Sequence, residues 1–283
     1  MKYGFSIWYG SKSILSEIER AGRLGFDYVE LSLDFVWPEG LEKQKKMIKN
    51  SLKENGLEMS FIAPHTDVRL ANPRREIREG GQKLLKKVLK FATYFNPPFL
   101  IFYIRGGSEP LNFAGYLPKY KFSIIEDAIN KAALESFDIL TKKAKKYNIK
   151  LALENSGRGL FSKMKDFRLL ITDDRFHLCC DIGHILRSSS LLNDKNNYTI
   201  TNIKKWYDFF GRKIIASHIH DAKIEGGKVR DHLNLGEGNL DMKKVASLLS
   251  KTKCNYIKLE TFSAYNSDYL MKENLKNAKN VFG

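Results

Sequence analysis

Apolar and polar residues switch between two periods along this chain, and the switching repeats from end to end. Short apolar or alternating runs predict strands, and longer stretches with apolar positions three and four residues apart predict helices. Tyr3–Trp8 is the first strand-like run, followed by the amphipathic segment Ser13–Leu24 with Gly25 placed to stop it. Tyr28–Leu33 predicts a second strand, and the Lys-rich helix Glu42–Asn55 ends at Gly56. Glu58–Ala63 predicts a third, closed by Pro64-His65, and the helix after it runs from Arg74 to Tyr94, where Asn96-Pro97-Pro98 breaks it. Phe99–Ile104 is the fourth strand, and a helix over Ser123–Tyr147 follows a glycine-containing loop. Lys150–Leu153 is the fifth, ending at Glu154, with a helix over Lys163–Ile171 leading to the sixth, Phe176–Cys180. The polar segment Ser188–Asn197 and a helix near Asn202–Phe210 precede the seventh strand, Ile214–Ile219. A loop over Asp221–Asn239, a helix over Leu240–Lys251, the eighth strand Tyr256–Leu259 and a last helix Asn266–Ala278 complete the series.

Alternation of this kind predicts a parallel sheet with right-handed crossovers. About eight such units, with no linker-like break in 283 residues, predict an α/β fold: a single (β/α)8 barrel, residues 1–283 forming one domain. A doubly wound open sheet is the alternative. No strand is followed by a Gly-x-Gly-x-x-Gly turn, so a dinucleotide site is unsupported.

Composition narrows the setting. No stretch holds about 18 consecutive apolar residues, so no membrane span is expected. The N-terminus lacks the apolar core and small-residue cleavage site of a signal peptide. The three cysteines include the sequential pair Cys179 and Cys180, a poor basis for a disulfide framework, and a reducing cytoplasm is expected. A balance of 48 basic to 32 acidic residues gives +16, which suits nucleic acid or phosphorylated substrates in principle. The lysines are scattered over several predicted helices, which is how a solvated helical surface reads.

The strand ends carry the chemistry. The fifth strand finishes in Leu153-Glu154-Asn155, the sixth in Asp181-Ile182-Gly183-His184, the seventh in His218-Ile219-His220-Asp221 and the eighth in Leu259-Glu260-Thr261. His65 closes the third, and His232 lies in the loop after the seventh. Any one of these has an ordinary reading: a lone Glu pairs with a surface Lys, and a lone His caps a strand. Several carboxylates converging on one barrel mouth repel each other unless a cation compensates. Three carboxylates with an imidazole make a mixed oxygen and nitrogen set suited to Mn²⁺, Mg²⁺, Fe²⁺, Co²⁺ or Zn²⁺.

Five motifs occur in an order that resembles the xylose-isomerase-like barrel superfamily. They are Leu153-Glu154-Asn155-Ser156-Gly157, Cys180-Asp181-Ile182-Gly183-His184, His218-Ile219-His220-Asp221-Ala222-Lys223, His232-Leu233-Asn234-Leu235-Gly236-Glu237-Gly238-Asn239 and Leu259-Glu260-Thr261. That superfamily holds sugar isomerases and epimerases together with apurinic/apyrimidinic endonucleases of the endonuclease IV type. The resemblance implies one metal held by Glu154, Asp181, His218 and Glu260. It also implies a neighbouring group, with His184 and His232, that binds substrate in the isomerases and additional zinc in the nucleases.

The nuclease branch implies three Zn²⁺ ions and DNA as partner. His65 matches its first extra histidine, but Tyr103 stands where the next is expected, and Arg230 stands where its Asp-x-His motif has the acid, unless Asp231 serves by a local shift. Val68 stands where an aromatic DNA wedge is expected, and Asp34-Phe35-Val36-Trp37-Pro38 replaces the basic loop after the second strand. The isomerase branch needs one divalent metal (Mn²⁺, Mg²⁺, Co²⁺ or Zn²⁺) and two carboxylates. Its resemblance implies that Glu154 and Glu260 move a proton through an enediolate on a small sugar or sugar phosphate. His184 would then orient a hydroxyl, and Arg230 or His232 would bind an oxygen or phosphate. The Gly106-Gly107-Ser108 turn offers backbone N–H groups to an anion, or is a plain turn. A sugar isomerase or epimerase is the leading expectation; an endonuclease IV-like enzyme and a metal- and sugar-binding barrel without turnover are the alternatives.

Overall fold

Every predicted strand joins one closed parallel barrel. The computed structural model describes residues 1–8, 10–11, 13–34, 38–106, 118–157, 161–188, 197–225, 228–261 and 265–283. Its elements are β1 (Lys2–Ile7), α1 (Ile14–Leu24), β2 (Tyr28–Ser32), α2 (Pro38–Glu54), β3 (Glu58–Ile62), α3 (Arg75–Ala92) and β4 (Leu100–Phe102). They continue with α4 (Lys119–Lys146), β5 (Leu151–Glu154), β6 (His177–Asp181), α5 (Ile182–Ser188), α6 (Asn197–Phe210) and β7 (Ile214–Ile219). A hairpin of β8 (Asp221–Glu225) and β9 (Lys228–Leu233), α7 (Met242–Leu249), β10 (Tyr256–Leu259) and α8 (Asp268–Phe282) complete the chain. The barrel order is β1-β10-β7-β6-β5-β4-β3-β2, so β10 is the predicted eighth strand and its pairing with β1 closes the sheet.

Alternation along the strands builds two cores. Phe5, Ile7, Val29, Leu31, Phe61, Leu153, Leu178 and Leu259 pack with helix residues such as Ile18, Leu89, Phe137, Phe210 and Leu275. The intervening residues Tyr28, Ile101, Ala152, Cys179 and Ala216 form a separate cluster inside the barrel. There Tyr28, Phe99 and Tyr256 meet edge to face, with ring centroids 5.1 to 6.1 Å apart, and seal the N-terminal half of the interior. Gly4 makes this possible, because a Cβ at that position would lie 2.2 Å from the Tyr28 ring. With the lower interior filled, the polar residues of the same strands collect toward the C-terminal mouth.

Local signals set the helix ends. Ser13 caps α1 by accepting from the Ser16 N–H, and Gly25 follows in the left-handed region at φ 86°. Three expectations change. The stretch expected as a helix over Lys163–Ile171 holds only the short 3₁₀ turn Met164–Phe167, capped by Asp166, and an Asp173 turn bonded to the Arg175 N–H follows it. The expected loop Asp221–Asn239 contains the hairpin β8–β9. Helix α5, absent from the expected elements, starts directly after Asp181. Among the described residues, no helix is long and apolar enough to cross a membrane.

Candidate metal centre

The sheet register brings the predicted ligands together. Asp181 is level with His218 across β6 and β7, and His218 with Lys258 across β7 and β10. Glu154 is level with Cys179. Because side chains two residues apart along a strand share a face, His218 and Lys258 sit just below Glu260 on the interior wall. Glu154, Asp181, His218 and Glu260 can each offer one ligand atom within 4.8 Å of the others. His218 Nδ1 lies 2.8 Å from Glu260 Oε2, 3.3 Å from Glu154 Oε1 and 3.9 Å from Asp181 Oδ2.

Their electrostatics fit a cation. Both carboxylate oxygens of Glu154, Asp181 Oδ2, Glu260 Oε2 and His218 Nδ1 are buried without an aligned hydrogen bond. Buried polar atoms of that kind cost free energy unless something pairs them. Burial disfavours the charged form of His218, yet the anionic groups around it, Glu154 and Glu260 among them, raise its pKa well above the usual value. Burial likewise opposes ionisation of Asp181, but His184 and His220 hold its carboxyl down at about 2. Glu260 is held well below the usual carboxylate range by His218 and Lys258 despite its burial. Three carboxylates around one imidazole are a donor set that a divalent ion satisfies. Cys179 also comes within reach of Glu154 and His218, and burial pushes its thiol far up.

The residue after Glu154 braces the site. Asn155 is buried; its Nδ2 donates to the Asp181 carbonyl at 2.9 Å, and its Oδ1 accepts from the Asp181 N–H at 2.8 Å. Its own carbonyl accepts from His184 Nδ1 at 2.8 Å. A carbonyl only accepts, so the proton is on Nδ1 and Nε2 is left as the acceptor or ligand atom of His184. The His184 N–H in turn donates to Asp181 Oδ1 at 2.7 Å.

A second cluster adjoins the first. Asp181, His220, His232 and Glu260 also place one ligand atom each within 4.8 Å of the others. His220 and His232 stack with centroids 4.5 Å apart and planes 8° apart. Asp231 is buried, lies 3.0 Å from His232 Nδ1 and pairs with Arg187. Arg230 is exposed on β9. The cause is a register irregularity in the β8–β9 hairpin, together with a left-handed His232 at φ 61°, which turns Asp231 inward at this point.

His65 sits on the rim and belongs to neither ligand cluster among the described residues. Its N–H donates to Asp34 Oδ1 at 2.8 Å, and its ring lies 4.5 Å from that of Tyr103. Burial and the Arg105 charge lower its pKa, with Asp34 and Glu154 opposing. Tyr103 is buried and carries the Arg105 guanidinium 4.2 Å over its ring, while Val68 is buried too. Gly107 and Ser108 of the expected anion-binding turn, and Phe35 to Trp37 of the loop after β2, lie outside the described residues.

Sequence reading missed Glu30, Lys258, Asn155 and His220 as members of this site. Asn155 and His220 lie beside predicted ligands and were legible as neighbours. Glu30 and Lys258 fall inside strands, where only knowledge of which face points inward singles them out.

The family described as "Xylose isomerase-like TIM barrel" matches residues 18–281, and the chain belongs to it. No curated protein matches the sequence significantly. Among solved structures, a D-tagatose 3-epimerase-like protein shares 20% identity at TM-score 0.72, with 99% of each chain covered. The D-allulose 3-epimerase of Methylomonas sp. in complex with D-allulose shares 16% identity at TM-score 0.72, covering 99% of this chain and 97% of its own. The IOLI protein with a bound zinc atom shares 17% identity at TM-score 0.73, covering 100% of this chain and 98% of its own. At these identities the likeness is one of fold.

Proposed function

We propose that this member of the xylose isomerase-like barrel family is a divalent-metal-dependent isomerase or epimerase of a small sugar or sugar phosphate, its whole chain acting as one domain. The observation that carries the reading is the set of buried ligand atoms on Glu154, Asp181, His218 and Glu260 that have no aligned partner of their own. A divalent ion held by these residues (Mn²⁺, Mg²⁺, Co²⁺ or Zn²⁺) supplies Lewis-acid polarisation of a sugar carbonyl. Glu154 and Glu260 then divide the proton work: one takes the proton from the carbon beside the carbonyl, and the other returns a proton to the resulting enediolate. His184 presents Nε2 to a substrate hydroxyl, and His232 and His65 supply rim contacts to further oxygens or a phosphate.

Fold relatives with a bound sugar and a bound zinc atom are consistent with this reading. The nuclease alternative fits less well. Tyr103, at the position of a second extra zinc-binding histidine, packs its ring against His65, and buried Val68 presents no aromatic wedge. Three buried free cysteines suit a reducing compartment such as the cytoplasm.

The test is hydrogen exchange from D₂O into a panel of ketoses, aldoses and their phosphates, run beside an abasic DNA duplex. Metal-loaded wild type should deuterate one sugar at the carbon beside its carbonyl, while Glu154→Gln and Glu260→Gln, both folded, should not. Undiminished exchange in either variant removes that residue from its role. Incision of the abasic duplex without sugar exchange would replace the reading with the nuclease one. Metal binding without either reaction would favour a non-catalytic barrel.

A further inference from the structure

One cation is buried directly beneath the candidate ligands, and neither the metal set nor the proton transfer uses it. Lys258 projects from β10 into the barrel with a side chain only 1% exposed. Its Nζ donates to Glu260 Oε1 at 2.9 Å and lies 2.7 Å from Glu30 Oε1. Glu30, on β2, is fully buried; its Oε1 lies 3.0 Å from His218 Nε2, and its Oε2 accepts from Ser60 Oγ at 3.2 Å. Lys258, Glu30, His218 and Glu260 therefore close a ring of contacts, since His218 Nδ1 approaches Glu260 Oε2 at 2.8 Å.

The ring divides the ligands' atoms between two tasks. Glu260 has one oxygen engaged by Lys258 from below, which leaves Oε2 directed to the other ligands. His218 has Nε2 against Glu30, which leaves Nδ1 directed to Glu154, Asp181 and Glu260. Isolated charges are not stable in such a place, so Lys258 requires Glu30 as its counter-ion. The pair adds no net charge, and the carboxylates of Glu154, Asp181 and Glu260 remain for a divalent ion. Groups that hold metal ligands by their second atom set ligand orientation, and their loss typically weakens metal affinity by about 10–100-fold.

We infer that Lys258, charge-balanced by Glu30, is a positioning residue: it fixes Glu260 to offer a single oxygen to the metal, while Glu30 fixes His218 to offer Nδ1. The inference rests on the metal-centre reading above. Lys258→Met alone strands Glu30 beside Glu260 and risks the fold, so the decisive variant is Glu30→Gln/Lys258→Met, which removes both charges with side chains of similar size. Exchanging a whole buried ion pair for neutral groups is often tolerated.

The experiment follows Co²⁺ binding by calorimetry and by visible absorption, with thermal unfolding as the control. Wild type should bind one Co²⁺ per chain. The double variant should unfold at a similar temperature yet bind Co²⁺ about 10–100-fold more weakly. Its visible bands should shift and weaken as the released Glu260 chelates with both oxygens. Equal affinity and an unchanged spectrum in the double variant would overturn the role of Lys258 and leave the metal centre standing. A wild type that binds no divalent ion would overturn the metal centre itself, and this inference with it.

Discussion

Asn155→Ala isolates the brace that aligns Asp181. In the native site the Asn155 side chain supplies one donor and one acceptor to the backbone of Asp181, at 2.9 and 2.8 Å, where β5 has already ended and no strand ladder serves them. Alanine removes both partners and leaves a buried N–H and a buried carbonyl unpaired. Each such orphan costs about 1–3 kcal/mol, so the pair predicts a loss of about 2–6 kcal/mol. For a chain of this length, about 2 °C of melting temperature is lost per kcal/mol, giving a fall of roughly 4–12 °C. Asp181 is also a candidate ligand, so misalignment of its backbone should weaken metal binding by about tenfold or more. Asn155→Asp sharpens the test, because it keeps the acceptor for the Asp181 N–H but replaces the donor with a further carboxylate. It should destabilise less than alanine at low pH and more as that carboxylate ionises. Thermal unfolding of the metal-free protein and calorimetric metal titration read the two effects separately. An Asn155→Ala protein with unchanged melting temperature and unchanged metal affinity would refute the bracing role.

Three other outcomes follow from named contacts. Metal affinity should weaken as pH falls through the raised pKa of His218, because ligation needs the neutral imidazole and protons compete below that value. The slope should approach about tenfold per pH unit for one displaced proton, with proton release visible as buffer-dependent calorimetric heat; a flat affinity between pH 6 and 8 (about the range of interest) would contradict this. Gly183→Ala would place a Cβ 2.3 Å from His220 Cε1 and 2.9 Å from Asp231 Oδ2, both buried, so it should cost about 1–3 kcal/mol, and a wild-type melting curve would count against the packing described. Arg78→Met removes donors to the Asn72 carbonyl at 2.9 Å and Glu135 Oε2 at 2.8 Å, and should destabilise α3 against α4 by about 1.5–3 kcal/mol in urea unfolding; an unchanged midpoint would refute it.

Much of the barrel was legible because its strands are short, regularly spaced and separated by capped helices. Ile214–Ile219 and Tyr256–Leu259 fall where their apolar runs place them. The hairpin Asp221–Leu233 was not legible, since Lys223, Glu225, Lys228 and Arg230 read as loop and its pairing is set by tertiary contact with the mouth. The four candidate ligands were legible because each lies at or beside the end of an apolar run, and the sheet register then brings them within 4.8 Å. Lys258 and Glu30 were not. A charged residue within a strand reads as solvent-facing until closure of the barrel turns that face into an interior. Arg230 and Asp231 exchange their expected places for a similarly local reason, the register irregularity beside a left-handed His232.

The proposed function stands or falls with a single divalent-metal centre built by residues of four strands. Its most direct measurement is the number of tightly held ions per chain after loading with zinc or manganese and dialysis, in wild type and in Asp181→Asn. Wild type should hold one ion, and the folded variant should lose it. Three retained zinc ions, or none, would contradict it.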